Sequence, residues 1–65
     1  MNYRIDGDKL GEVVRLFNDQ VDPEATDDLV EKEITADWHE GDEHQEWIDN
    51  APAQEIVDWL ASFYN

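Results

Sequence analysis

The stretch PAQEIVDWLASFY, residues 52–64, decides the fold of this chain. Pro52 is typical of the first position of a helix, where its missing N–H costs nothing and its fixed φ angle is already helical. Ile56, Leu60 and Phe63 recur on one face, and apolar residues flank them: Ala53, Val57, Trp59 and Tyr64. At 100° per residue this arc covers about 200°, wider than the roughly 100° stripe of a surface helix. We therefore expect this helix to be either the centre of the core or partly an exposed binding face.

Two helices are predicted between residue 22 and this last helix. Asp22-Pro23-Glu24 is a good helix start, and Val30, Ile34 and Trp38 lie four apart, as on a helix. The segment 33–38 also alternates polar and apolar residues, as on a half-buried strand. We favour a helix through about residue 37, because this segment contains good helix formers: Leu29, Glu31, Lys32 and Glu33. Gly41 ends that element, and Asp42 can cap a short helix over 43–49 that carries Trp47 and Ile48.

The N-terminal third predicts one more helix. Asp8 can cap a helix over about 9–19, whose apolar face recurs at i, i+3, i+4 and i+7: Leu10, Val13, Val14 and Phe17. Gly11 weakens this helix by about 1 kcal/mol relative to Ala, so the helix needs tertiary support. Before it, Tyr3 and Ile5 alternate with polar residues and are able to form a short strand, with Asp6-Gly7 as a turn.

Residues 1–65 therefore form a single domain that is mostly α. We expect a compact, monomeric bundle of three to four short helices, to which a short N-terminal strand or small hairpin can be added; an α+β fold is the alternative. A chain of this length buries only about 60% of its unfolded surface, and the absence of Cys rules out disulfides. Stability must come from packing around large side chains, for which we select Phe17, Trp38, Trp47, Ile56, Leu60 and Phe63.

Charge is the strongest functional signal. Eighteen Asp and Glu against four Lys and Arg give a net charge of −14. Such a surface repels phosphate, so direct binding to nucleic acid or to anionic lipid is not expected, and partners should be basic proteins. Every Lys and Arg lies at or before Lys32, so the second half is acidic only. No leader or membrane-spanning pattern is present, so we expect a cytoplasmic protein.

Patterns for catalysis and metal binding fail on inspection. His39 and His44 are five apart, with Gly41 between them, whereas a zinc helix places its two His four apart; a solvated polar turn is the simpler interpretation. Asp6-Gly7-Asp8 departs from a calcium loop at Leu10. Ser62, the only serine, has no assignable base. We expect no enzymatic activity, no metal and no cofactor.

The acidic residues themselves form rows at helical spacing. Carboxylates three or four positions apart on a helix lie about 5–6 Å from each other at Cβ, and their side chains can splay to approximate the spacing of phosphates. Two such rows are the predicted partner-binding residues: Glu33, Asp37 and Glu40, then Asp42, Glu43, Glu46 and Asp49.

In character the chain resembles the small acidic phage-encoded inhibitors of bacterial defence, the DNA-mimic antirestriction and anti-CRISPR proteins. The similarity rests on the size, the absence of Cys, the acid-rich stretch from Asp37-Trp38-His39-Glu40 through Glu46-Trp47-Ile48-Asp49, and the run WIDNAPAQEIVDW at 47–59. The resemblance implies an inhibitor that blocks the basic DNA- or RNA-binding channel of a defence complex such as a CRISPR effector.

Two alternatives remain open at this point. The chain can be an acidic adaptor or antitoxin-like protein that docks on a basic partner, or an ordinary small protein of a halophile, acidic for solubility. Mimicry needs acids concentrated on one face, whereas salt adaptation spreads them over the whole surface.

Overall fold

The computed structural model describes residues 3–36 and 43–63. These residues form four helices and no strand: α1 (Gly7–Gln20), α2 (Asp27–Ile34), α3 (Glu43–Asn50) and α4 (Ala53–Ala61). The prediction of a mostly helical fold is therefore confirmed. The short strand that Tyr3 and Ile5 were considered able to form is absent from the described residues; the backbone N–H and carbonyl of Arg4 bond instead to the side chain of Gln45.

Helix α1 begins two residues earlier than its sequence suggests. Asp6, not Asp8, is the capping residue, and its carboxylate accepts the backbone N–H of Asp8 at 3.1 Å. Asp8 instead lies in the first turn, where a negative charge is favourable beside the positive end of the helix dipole. The predicted apolar face packs inward and buries Val13, Val14 and Phe17.

Helix α2 begins later than predicted, at Asp27, with Thr26 as its cap. Asp22-Pro23-Glu24 is not a helix start: the carboxylate of Asp22 accepts the N–H of Glu24 at 3.0 Å and closes a turn. The side-chain amide of Asn18 holds this turn against α1 by donating to the carbonyls of Asp22 and Ala25, both at 2.9 Å. Of the two interpretations of this segment the helix is correct, but it ends at Ile34 rather than near residue 37.

Helix α3 follows its predicted position closely, whereas α4 begins where predicted but ends earlier. Helix α3 ends at Asn50, one residue past the prediction; its proposed cap, Asp42, lies outside the described residues. Pro52 immediately precedes the first residue of α4 and has a φ of −62° and extended ψ. Helix α4 ends at Ala61 instead of continuing to residue 64. It packs against both α1 and α2, and these three helices all contact one another.

The core is built from medium-sized aliphatic side chains more than from aromatic ones. Phe17, Ile56 and Leu60 are buried as predicted, whereas Trp47 is only half-buried. Phe63 was expected in the core but is 54% exposed, because it lies past the last turn of α4. Trp38 lies outside the described residues. The other buried apolar residues are Tyr3, Val13, Val14, Ala25, Val30, Ile34, Ile48, Ala51 and Val57.

Candidate functional site

Three predicted partner-binding acids share the exposed face of α3. Glu43, Glu46 and Asp49 are all exposed and lie three residues apart, while His44 and Ile48 bury the opposite face. We call these three carboxylates the α3 acid row. Neighbours at this spacing lie about 5–6 Å apart at Cβ, so the row places three negative charges close together on a face that is exposed to solvent.

The α3 acid row is not remote from positive charge, although no Lys or Arg follows Lys32 in the sequence. The ammonium group of Lys9 donates to the carbonyl of Ile48 at 2.7 Å, near the C-terminal end of α3, where a cation is favourable. Two hydrogen bonds, at 2.9 and 2.8 Å, join the backbone of Arg4, rather than its guanidinium group, to the Gln45 side chain and so attach the N-terminal segment to α3. The sequence does not predict that Lys9 or Arg4 lies next to α3.

His44 fixes α3 to the end of α2. It is fully buried, and its Nε2 lies 2.6 Å from the carbonyl oxygen of Ile34. Because a carbonyl only accepts, Nε2 carries the hydrogen and donates it. The expectation of a solvated polar turn at this residue is wrong. The signal was present in the sequence, since His44, Trp47, Ile48 and Ala51 recur at i, i+3, i+4 and i+7.

Aromatic rings surround this histidine. Its ring meets Tyr3 edge-on at 4.8 Å and stacks on Trp47 at 5.7 Å between centroids. Trp47 in turn meets Trp59 at 4.9 Å, and its indole N–H donates to the Glu55 carboxylate at 2.7 Å. The cluster therefore connects α3 to α4 on the side of α3 that faces away from the α3 acid row.

The four other predicted site residues do not extend this row within the described part of the chain. Glu33 is half-buried and lies on the wall of an apolar groove between α2 and α4, which Phe17, Leu29, Val30, Trp59, Leu60 and Phe63 also line. Asp37, Glu40 and Asp42 lie outside the described residues.

Exposed acids also occur on every helix, not on α3 alone. Many of them lie in first turns, where a negative charge interacts favourably with the helix dipole: Asp8 in α1, Asp27 and Asp28 in α2, Glu43 and Glu46 in α3, and Glu55 in α4. Part of the acidity therefore has a structural use at helix starts. Of the four helices in the described part of the chain, only α2 has a basic residue, Lys32, in its last turn.

Among residues 3–36 and 43–63, no group of His, Asp and Glu is arranged to hold a metal ion. None of the helices in these ranges is both long and apolar enough to cross a membrane. Comparison with protein-family models, curated proteins and solved structures finds no match to this chain.

Proposed function

We propose that this chain is a non-enzymatic inhibitor that mimics the charge of nucleic acid and blocks the basic DNA- or RNA-binding channel of a bacterial defence complex such as a CRISPR effector. The observation that carries the proposal is the α3 acid row, in which Glu43, Glu46 and Asp49 are exposed together on one helix face. The net charge of −14 supports a basic partner and opposes direct contact with phosphate.

The physical basis is the similarity between a carboxylate ladder and a phosphate backbone. Lys and Arg side chains that line a nucleic-acid channel make charge-assisted hydrogen bonds to either group. The field of the whole chain draws such a channel toward the inhibitor, and association should therefore weaken as salt screens the charges. The ring cluster behind α3 packs this helix against α4, which leaves the α3 acid row facing solvent.

The test uses two variants with the same change in net charge. The first is E43K/E46K/D49K, which reverses the α3 acid row. The second, E12K/D19K/E31K, reverses exposed acids on α1 and α2. Each is titrated into purified CRISPR effector complexes that bind labelled target DNA, and DNA binding is read by gel shift. Wild type and the α1–α2 variant should displace the DNA, whereas the α3 variant should not.

Reversal at Glu43 and Glu46 also weakens the start of α3, because a cation there opposes the helix dipole. The neutral variant E43Q/E46Q/D49N removes the row without that repulsion, and circular dichroism checks that each sample is folded. If the neutral variant is folded and displaces DNA as well as wild type does, or if wild type forms a ternary complex with effector and DNA, the proposal is wrong.

A second candidate function is supported by the exposed acids on all four helices. This distribution favours an ordinary small protein that is acidic for solubility in concentrated salt. That candidate predicts that both triple Lys variants behave alike, with no displacement of nucleic acid by any sample, and that the wild type unfolds at low ionic strength.

A further inference from the structure

An apolar groove lies between α2 and α4. Glu43, Glu46 and Asp49 of the α3 acid row do not line it. Its volume is about 180 Å³, and Phe17 and Val30 are among its buried lining residues. Leu29 and Phe63 are 39% and 54% exposed, and they are the only large hydrophobic side chains exposed among residues 3–36 and 43–63. Both line this groove, although 33 positions separate them in the sequence. Their convergence marks the groove as the apolar patch of the described surface.

The volume of the groove limits the size of the group that it can bind. Pockets for cofactors and drug-sized molecules hold about 300–1,000 Å³, so this groove is too small for them and has room for about one large apolar side chain. Single apolar anchors that fill a pocket are typical of protein–protein interfaces.

The charge around the groove favours a positively charged partner. Glu33 is the only charged residue among the described lining residues, and it lies on the α2 wall. The chain as a whole carries −14. A second copy of the chain would bring the same charge to the groove, and nucleic acid would bring phosphates, so like-charge repulsion opposes both. A basic segment is attracted.

We propose that this groove binds an amphipathic segment of a basic protein, which inserts one large apolar side chain between Leu29 and Phe63 and places a Lys or Arg beside Glu33. The apolar side chain gains from burial, and the cation gains from a carboxylate held in a partly dry setting. This docking site does not depend on the charge-mimic function, because it uses α2 and α4 and needs no nucleic-acid channel.

The experiment is a selection of random 12-residue peptides displayed on phage against the immobilised full chain. The sequences recovered should share one Leu, Met, Phe or Trp with Lys or Arg within a few positions. A fluorescein-labelled copy of the most enriched peptide is then titrated with wild type, L29A/F63A, E33Q and E12Q, and anisotropy reports binding. Glu12 is exposed on α1, so E12Q has the same net charge as E33Q and serves as its control.

Binding should weaken by at least about tenfold in L29A/F63A, as expected for loss of a hot spot, and several-fold in E33Q, but within twofold in E12Q. Thermal unfolding of each variant verifies that it is folded, and a nuclear magnetic resonance titration of wild type with the peptide should shift the amides of 29, 33 and 63. Three results overturn the proposal: enriched peptides without a basic residue or an apolar anchor, no enrichment at all, or equal affinity for wild type and L29A/F63A. None of these results bears on displacement of DNA by the α3 acid row.

Discussion

Replacement of His44 by Phe is expected to lower the free energy of unfolding by about 1–3 kcal/mol, the cost of leaving a buried polar group without its partner. His44 is fully buried, and its Nε2 lies 2.6 Å from the carbonyl oxygen of Ile34. Ile34 is the last residue of α2, and the last carbonyls of a helix have no partner within it. Phe preserves an aromatic ring beside Tyr3 and Trp47 but offers the carbonyl no donor.

Thermal and urea unfolding followed by circular dichroism measure this loss. In a domain this small, each kcal/mol should lower the melting temperature by roughly 4–8 °C. E31Q, at an exposed position of α2, is the control and should change stability by less than about 0.5 kcal/mol. Nitrogen chemical shifts of the His44 ring should show hydrogen on Nε2. The reasoning is refuted if H44F is as stable as E31Q, or if the neutral ring carries its hydrogen on Nδ1 alone.

Three other predictions concern stability. Gly11 lies at a solvent-exposed position in the middle of α1, and an added Cβ would meet nothing within 4 Å. G11A should therefore stabilise the chain by about 0.5–1 kcal/mol. An unchanged or lower melting temperature would contradict this. The ammonium group of Lys9 donates to the carbonyl of Ile48 at 2.7 Å. Because hydrogen bonds to charged groups are worth about 1.5–3 kcal/mol, K9M should lower the free energy of unfolding in urea by about 1–2 kcal/mol. The control K32M, at an exposed residue, should lower it by less. Raising NaCl from about 0.05 to 0.5 M should increase the melting temperature by screening repulsion within a chain of −14; a flat or falling curve would mean that local pairing outweighs that repulsion.

Local periodicity was sufficient to predict where most helices lie. Val13, Val14 and Phe17 on α1, like Ile56 and Leu60 on α4, recur at the helical period and are buried, because a helix buries whichever stripe is apolar. The exact helix starts were harder to predict. Asp6 and Asp8 are both able to cap α1, and Asp22 competes with Thr26 ahead of α2. The choice at α2 depends on Asn18, which holds the turn at residues 22–25 against α1 through two tertiary hydrogen bonds.

The surroundings of the candidate site depend on tertiary contacts that no local pattern contains. The residues of the α3 acid row lie on the face of the helix opposite the buried Ile48, so their exposure could be predicted from the sequence. The approach of Lys9 and Arg4 to α3 depends on how α3 docks on the N-terminal segment. The same is true of the groove, which Glu33 and Phe63 both line because α2 packs against α4. Glu33 was therefore assigned to an outward acid row, whereas it lies on a groove wall.

The central claim is that the α3 acid row takes the place of nucleic acid in a basic channel, and competition binding tests it most directly. A labelled target DNA is held at a fixed concentration with a purified effector complex, and its displacement is measured against increasing wild type, E43Q/E46Q/D49N and E12Q/D19N/E31Q. At one fixed salt concentration, the proposal predicts full displacement by wild type and by the α1–α2 variant, and no displacement by the α3 variant. Equal displacement by the two folded variants, or a stable complex that contains the inhibitor and the DNA together, would contradict it.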